Sequence, residues 1–223
     1  MNARTFLPST SLVLLFSAAV VAQDPVKVDP AHYKLLLENA SVRILKISYA
    51  PGEKSTMHKH PDSLVVSLSD STVSFATPDG KAAEEKMPSE SAMYAPAGTH
   101  LPTNVGKVPV DAILVEFKTA KPGTATVPTS RPGLNMTVLA EGPRAMAYRT
   151  TADPTFHEPA GSKHDFDQVV IALNAGQMAL SIDGKPARTN WKRGDVAFIG
   201  RGVAHESQNK GGKPADYVIV AIK

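Results

Sequence analysis

The sequence predicts an all-β protein that contains two tandem copies of one domain. Short β-branched runs recur about every ten residues between Gly, Pro, Asp and Asn, whereas apolar patterns with a helical period are scarce. A set of histidines also recurs with matched surroundings: His60 and His164 each lie 19 residues before an Asp-Gly-Lys sequence. His100 and His205 are each followed at the fourth position by an asparagine, and the offset between the halves is 104 to 105 residues. A near-constant offset of this kind indicates an internal repeat.

The strands of both copies are predicted from these runs. They are Val42 to Tyr49, Leu64 to Leu68, Thr72 to Ala76, Ser91 to Tyr94 and Ala112 to Phe117, then Arg144 to Arg149, Gln168 to Leu173, Met178 to Ile182, Asp195 to Ile199 and Tyr217 to Ile222. Pro78-Asp79-Gly80 and Asp183-Gly184 are predicted hairpin turns. Leu35-Leu36-Leu37 is compatible with a first strand or a short helix.

The predicted domain organisation begins with a secretory signal peptide at residues 1–22. Arg4 precedes an uncharged run from Ser11 to Ala22, and polar residues follow from Gln23 onward. The run is too short to cross a bilayer, which takes about 20 apolar residues. We therefore expect an exported protein, periplasmic or secreted, without a stable membrane span after cleavage. A lead-in at 23–40, an N-terminal barrel at 41–118, a Pro-, Gly- and Thr-rich linker at 119–133 and a C-terminal barrel at 134–223 complete the organisation.

Composition excludes several functional classes. The chain has no cysteine, so disulfides, zinc fingers and iron–sulfur clusters are excluded, and any metal site must use nitrogen and oxygen ligands. The 24 basic and 21 acidic residues give a formal net charge of +3 and are interspersed. Without a basic stripe, no nucleic-acid partner is expected.

The first half contains a His-x-His sequence, which suits metal binding on a strand. Alternation places His58 and His60 on one face, about 6.5 to 7 Å apart, where both rings can reach one ion. The same alternation assigns Asp62, Leu64, Val66 and Leu68 to that face. A third ligand must come from another strand, and His100 follows the tight turn Pro96-Ala97-Gly98.

These residues resemble the two motifs of the cupin superfamily, G-x5-H-x-H-x3-4-E-x6-G and G-x5-P-x-G-x2-H-x3-N. The matching residues are Gly52, His58, His60, Pro96, Gly98, His100 and Asn104 in the first half, and Gly194, Gly202, His205 and Asn209 in the second. The resemblance implies two small antiparallel barrels of the double-stranded β-helix, or jelly-roll, type, each with an interior pocket for ligand and metal.

The first half departs from the family pattern at the glutamate position, where Leu64 stands. The expected metal site is therefore His58, His60 and His100, unless Asp62 turns inward. Three neutral imidazoles leave a divalent ion its full charge and an open coordination position. Iron, manganese, zinc, nickel and copper all fit this description. Such a site favours an anionic or chelating oxygen ligand.

The second half retains less of the pattern. Ser162 replaces the first histidine, which leaves His164, Gln168 and His205 as a second candidate site. An amide oxygen is a weak metal ligand, so a metal site and a metal-free pocket both remain open here. His157 could serve as a replacement ligand, and Glu158, Asp165 and Asp167 lie nearby in the sequence. Asn104 and Asn209 are expected to support the two sites by binding loop backbone.

The sequence thus favours an exported two-barrel cupin that binds one divalent transition metal in its N-terminal barrel. It would act on a small oxygen-bearing molecule as an oxygenase or isomerase. No residue is compelling as a general base, since Asp62 and Glu206 are candidates only by proximity. The alternative is a non-catalytic binder of small ligands with a degenerate second site, and whether the protein is an enzyme stays open. Pairing of barrels within one chain or across a homodimer is also open.

Overall fold

The structure is a computed structural model that describes residues 24–118 and 125–223; the predicted signal peptide lies outside the described residues, as does part of the predicted linker. A short helix, α1 (Pro25–Val28), precedes the strands of the first half. These are β1 (Tyr33–Glu38), β2 (Val42–Tyr49), β3 (His58–His60), β4 (Ser63–Ser67), β5 (Ser71–Ala76), β6 (Ala82–Met87), β7 (Ala92–Ala95), β8 (Gly98–Asn104) and β9 (Val110–Phe117).

The second half repeats this order. Its strands are β10 (Leu134–Glu141), β11 (Ala145–Ala152), β12 (His157–Ser162), β13 (Asp167–Ala172), β14 (Gly176–Ile182), β15 (Lys185–Trp191), β16 (Val196–Ile199), β17 (His205–Asn209) and β18 (Ala215–Ile222). Leu35-Leu36-Leu37 therefore lies in a strand, and the structure adds strands that the apolar runs did not predict, such as the mostly exposed β6 and β15.

Each half forms a barrel of two antiparallel sheets with the same topology. The N-terminal barrel has sheets in the order β1-β2-β9-β4-β7 and β3-β8-β5-β6, and the C-terminal barrel has β10-β11-β18-β13-β16 and β12-β17-β14-β15. The predicted hairpin turns connect β5 to β6 and β14 to β15. Gly80 and Gly184 adopt φ values of 82° and 71° there, which glycine tolerates without steric cost. The internal repeat in the sequence is thus a repeat of topology, and the predicted all-β, two-barrel fold is confirmed.

The largest hydrophobic core lies between the two barrels rather than inside either one. It joins residues of both five-stranded sheets: Val42, Ile44, Leu64, Val66, Leu68, Ile113, Val115 and Phe117 with Ala145, Ala147, Val169, Ile171, Leu173, Val218, Val220 and Ile222. The barrels therefore pair within one chain. The central strands β4, β9 and β18 are buried on both faces, which explains their continuous apolar runs.

This arrangement corrects one expectation about the first half. Leu64, Val66 and Leu68 do not share a face with His58 and His60, because they pack in the core between the barrels. The chain leaves the four-stranded sheet after β3 and enters the five-stranded sheet at β4. The change of sheet between these strands interrupts the two-residue alternation on which the expectation depended.

Ion pairs at the edge of this core link the barrels. Glu90 in the N-terminal barrel contacts Arg149 at 2.9 Å and Arg193 at 3.1 Å, both from the C-terminal barrel. Arg193 also donates a hydrogen bond of 2.8 Å to the Leu68 carbonyl. These contacts fix how the two barrels meet.

Within residues 24–118 and 125–223, no helix combines the length and hydropathy that a bilayer crossing requires.

Candidate metal and ligand sites

The N-terminal barrel encloses a cavity of about 340 Å³ between its two sheets. Most of the wall is apolar and includes Val65, Val73, Phe75, Met87, Met93, Ala112 and Leu114. The three predicted histidines, together with Tyr33 and Tyr49, supply much of the polar lining. The cavity is of the size that proteins use for small organic ligands.

His58, His60 and His100 come together at this wall. Strands β3 and β8 pair so that His58 lies opposite His100 and His60 opposite Gly98. The His58 and His100 ring centroids are 5.0 Å apart, and those of His60 and His100 are 4.7 Å apart. His58 and His60 are 1% and 5% exposed. The pairing of two distant segments therefore brings the three rings to one wall of the cavity. Among the described residues, however, the group whose ligand atoms lie within 4.8 Å of one another belongs to the other barrel, and a metal at this triad remains a prediction.

Backbone carbonyls fix the tautomers of two of these rings. Nδ1 of His58 is 2.8 Å from the Thr56 carbonyl, and Nδ1 of His60 is 2.8 Å from the Pro61 carbonyl. Since a carbonyl only accepts, each neutral ring carries its proton on Nδ1. The lone pair of each ring then lies on Nε2, the atom available to a metal.

Burial keeps the imidazoles of His100 and His58 neutral. It lowers the pKa of His100 to about 3, and positive charge on His60 or His58 would lower it further. Burial also lowers the pKa of His58, although its hydrogen bond to Thr56 acts in the opposite direction. Neutral imidazoles are the form that binds metals, so no proton has to be displaced from these rings at neutral pH.

Tyr33 and Asp29 of the lead-in segment, together with Ser55, surround the ring of His58 with polar contacts. The Tyr33 hydroxyl lies 3.2 Å from Nε2 of His58 and donates to its lone pair. Ser55 donates a hydrogen bond of 2.6 Å to Asp29 and contacts Nδ1 of His58 at 3.3 Å. Asp29 in turn binds Nδ1 of His32 at 2.7 Å. No pattern in the sequence indicates these roles, because they depend on contacts between separate segments.

The side chains of Asp62 and Leu64, the two positions considered for a fourth ligand, face away from this triad. Asp62 accepts a hydrogen bond of 2.8 Å from the backbone of Ala97 and lies 3.6 Å from Arg144 of the other barrel. Leu64, at the family's glutamate position, is buried between the barrels. The histidine triad of the N-terminal barrel is therefore not completed by either residue.

The C-terminal barrel brings together Glu158, His164 and His205, whose ligand atoms all lie within 4.8 Å of one another. The two carboxylate oxygens of Glu158 are each 3.3 Å from an imidazole Nε2, one of His164 and one of His205. Such a carboxylate and two imidazoles could hold a metal ion. The guanidinium of Arg131 also contacts Glu158.

Glu158 joins His164 and His205 in this group, and the predicted role of Gln168 as a further ligand remains a prediction. Gln168 is buried and lines a small cavity of the C-terminal barrel together with Glu158 and His205. Its amide nitrogen has no hydrogen-bond partner among the described residues. His157 points outward, 46% exposed in its side chain, and contacts Glu206 at 3.0 Å. Ser162 lies opposite His205, so it takes the place that His58 has opposite His100.

Glu158 reaches the site because β12 contains an irregularity that the sequence does not reveal. Glu158 pairs with Ser207, and at the matching place in the first barrel the backbone of Ser55 bonds to Pro102. Ser55 is followed by the first histidine after three residues, whereas Glu158 precedes Ser162 by four. The register shifts between Glu158 and Ser162, and Gly161 adopts a φ of 86° within the shift.

The charges of the C-terminal group differ from those of the triad. Burial would raise the pKa of Glu158, but contacts with His164, His205 and Arg131 hold it well below its usual range. For His205, burial would lower the pKa, but the Glu158 carboxylate raises it. The C-terminal group therefore contains a firmly ionised carboxylate, in contrast to the neutral triad.

Asn104 and Asn209 bind loop backbone in the two barrels. Asn104 donates to the carbonyls of Tyr49 and Val108 at 3.2 and 2.9 Å. Asn209 donates to the carbonyls of Ala152 and Lys213 at 3.2 and 2.7 Å. Each asparagine thus holds the end of the strand that carries a site histidine, His100 or His205.

Comparisons with known proteins identify the fold. No family model and no curated protein matches the sequence. AerE from Microcystis aeruginosa superposes with a TM-score of 0.65 at 15% identity, over 86% of this chain and 97% of that one. The oxalate decarboxylase of Lactobacillus farciminis, in a formate complex, gives 0.61 at 11% identity over 82% of this chain and 77% of that one.

A cupin 2 conserved barrel domain protein from Leptotrichia buccalis gives a TM-score of 0.54 at 13% identity, over 86% of this chain and 88% of that one. Identities this low establish the fold alone. The protein therefore has the cupin fold, as its two motifs implied.

Proposed function

From the two-barrel cupin fold, we propose that the N-terminal barrel binds one divalent transition metal and acts on a small oxygen-bearing molecule. The observation that carries this proposal is that three imidazoles, those of His58, His60 and His100, lie together at the wall of one cavity of about 340 Å³. The donor set fits iron, manganese, zinc, nickel or copper, because imidazole nitrogen suits these ions. The apolar remainder of the wall supports binding of an organic molecule.

The side chains at the wall of the N-terminal cavity determine which reactions the site could support. A bound ion would activate dioxygen or polarise a carbonyl or enolate, which corresponds to oxygenase or isomerase chemistry. A divalent ion held by imidazoles without a carboxylate would keep its positive charge, so the site would prefer an anionic or chelating oxygen ligand. The hydroxyl of Tyr33 donates to Nε2 of His58 at 3.2 Å, and a metal ion on that nitrogen would free the hydroxyl to donate to a ligand instead. The apolar side chains exclude water around it.

The second candidate is a non-catalytic ligand-binding protein. The Tyr33 hydroxyl already satisfies the Nε2 lone pair of His58, and Asp62, a candidate general base, faces Arg144 instead of the cavity. These contacts favour a barrel that binds a small ligand without turnover. In both cases we propose that the protein is exported through its N-terminal signal peptide.

Elemental analysis of the purified protein tests metal binding. Replacing His58 and His60 by alanine together is expected to lower the metal content by about one equivalent per chain. His157→Ala is the matched control, because this exposed histidine contacts Glu206 outside both groups. Less than about a tenth of an equivalent in the wild type, unchanged in the double variant, would rule out the proposed metal site.

Oxygen uptake with small diketones, phenolics and thiols then separates enzyme from binder. Turnover that is lost in the double variant and retained in His157→Ala supports the enzyme. Tight binding of carboxylate or chelating ligands without turnover supports the binding protein. Equal affinity for neutral and carboxylate analogues at fixed salt contradicts the expected preference for anions.

A further inference from the structure

The C-terminal group of Glu158, His164 and His205 is in contact with a positively charged side chain, that of Arg131. This contact distinguishes it from the N-terminal triad. Arg131, which precedes β10, places its guanidinium on Oε1 of Glu158. Glu158 and His205 are 7% and 2% exposed. A carboxylate this deeply buried requires compensation by positive charge. Arg131 provides one such charge.

A second feature shows that this compensation is incomplete. Nδ1 of His205 lies 3.2 Å from the Val203 carbonyl, which places a proton on Nδ1. Nε2 of the neutral ring would then present its lone pair to Oε2 of Glu158 at 3.3 Å, an unfavourable contact. Among the described residues, Nε2 of both His164 and His205 has no aligned hydrogen-bond partner. The two nitrogens and the carboxylate thus surround a position that a cation would stabilise.

The space at this position is small. The C-terminal cavity, which Arg131, Glu158, Gln168 and His205 help to line, has a volume of about 50 Å³. A water molecule needs roughly 10 to 15 Å³ of such volume, so an ion with a few waters fits. Organic ligands usually occupy pockets of about 300 Å³ or more. The site therefore suits an ion and excludes a substrate of ordinary size.

We propose that Glu158, His164 and His205 form a second divalent-cation site in which Arg131 competes with the ion. In the ion-free protein the guanidinium neutralises Glu158. When a divalent cation binds the carboxylate and the two imidazoles, Arg131 is repelled and leaves Glu158. Its side chain is 20% exposed, and it lies beyond the strands of the barrel, so it can turn towards solvent. The cost of displacing Arg131 weakens the site in the wild type.

Cobalt(II) titration, followed by the visible absorption of the bound ion, tests the proposal. The background is the His58→Ala, His60→Ala protein, so that the outcome is independent of the N-terminal metal site. In this background, Arg131→Met removes the competing charge and keeps the aliphatic stem. We expect it to tighten cobalt binding at least about tenfold. Arg131→Lys, which keeps a positive charge, is expected to stay within about threefold of the parent.

Two further variants complete the design. Glu158→Gln is expected to weaken binding at least about a hundredfold, because it removes the anionic ligand. Arg188→Met is the matched control, since Arg188 forms a comparable ion pair with Asp195, at 2.7 Å, outside the site. It should leave cobalt affinity unchanged. If Arg131 were only a structural residue, Arg131→Met would weaken binding or leave it unchanged. Either result, or the retention of binding in Glu158→Gln, would overturn the proposal.

Discussion

The two barrels share one topology, but their interiors are filled differently. The N-terminal barrel has a cavity of about 340 Å³ beside three histidines, whereas the C-terminal barrel retains about 50 Å³ beside a glutamate and two histidines. Equivalent strand positions explain the contrast. Met87 pairs with Ser71 at the place where Trp191 pairs with Gly176. A methionine in one barrel is thus a tryptophan in the other.

Two further positions follow the same trend. Val73 pairs with Asn104, and Met178 pairs with Asn209. Ala112 on β9 corresponds to Tyr217 on β18, which stacks edge-on against Trp191 at 5.4 Å. Larger side chains at these positions fill the C-terminal interior. A repeated fold can thus retain two of its three site histidines while side-chain volume decides whether an organic ligand fits beside them.

The strongest test of this contrast is truncation of Trp191. Trp191 is buried and donates a hydrogen bond of 2.8 Å to the Met178 carbonyl. We expect Trp191→Ala to lower the free energy of unfolding by about 3 to 5 kcal/mol, measured by urea denaturation. Met87→Ala is the comparison variant. It should cost less because Met87 already borders a cavity. Equal losses of unfolding free energy in the two variants would show that side-chain volume does not explain the difference in cavity volume between the barrels.

Substitution of Gly142 tests how tightly the two barrels pack at their junction. A Cβ atom at Gly142 would overlap the ring of Tyr94 in the other barrel. Because the ring packs beside the core between the barrels, Gly142→Ala should destabilise the protein by about 1 to 3 kcal/mol in urea denaturation. Gly176→Ala is the control, since a Cβ there meets nothing closer than 3.8 Å. The prediction fails if both variants unfold at the same urea concentration.

Substitution of Tyr33 tests the hydrogen bond that its hydroxyl donates to His58 in the N-terminal site. Tyr33→Phe removes the hydroxyl that donates to His58, so we expect a loss of about 1 kcal/mol in the free energy of unfolding of the metal-free protein. It also frees the Nε2 lone pair, so metal affinity in the N-terminal barrel should rise or stay constant. Tyr217→Phe is a useful comparison, because the Tyr217 hydroxyl has no hydrogen-bond partner among the described residues. A fall in metal affinity in Tyr33→Phe would assign the hydroxyl a different role.

Histidine titration distinguishes the barrels in the metal-free protein. Since burial lowers the pKa of His100 to about 3, His100 should remain neutral down to about pH 4 in ¹⁵N NMR of the imidazoles. The pKa of His205 should lie above its ordinary value, because burial, which lowers it, is outweighed by Glu158 and the Val203 carbonyl together. Stability linked to His100 is therefore lost as the pH falls below about 6.5, its unfolded value. Stability linked to His205 is present below that value and is lost as the pH rises through the raised pKa. Titration of both rings near pH 6.5 would contradict this contrast.

The sequence by itself determined the features that depend on local geometry. The repeat offset, the β-branched runs and the Asp-Gly turns predicted two barrels, because hairpin turns and strand alternation are short-range properties. The same alternation placed His58 and His60 together, and the turn before His100 suggested the third histidine. The loop-binding roles of the asparagines were also accessible, because their backbone partners include nearby residues such as Val108 and Lys213.

Only the tertiary structure decided the features that depend on contacts between distant segments. Leu64 faces the other barrel because the chain changes sheets after β3, which strand alternation does not anticipate. Glu158 joins His164 and His205 because a register shift in β12 turns its side chain toward the site. Tyr33 reaches its site from the lead-in segment, and cavity volume is a sum over many side chains. The physical reason is the same throughout: packing between separate elements places these groups, and one sequence does not reveal that packing.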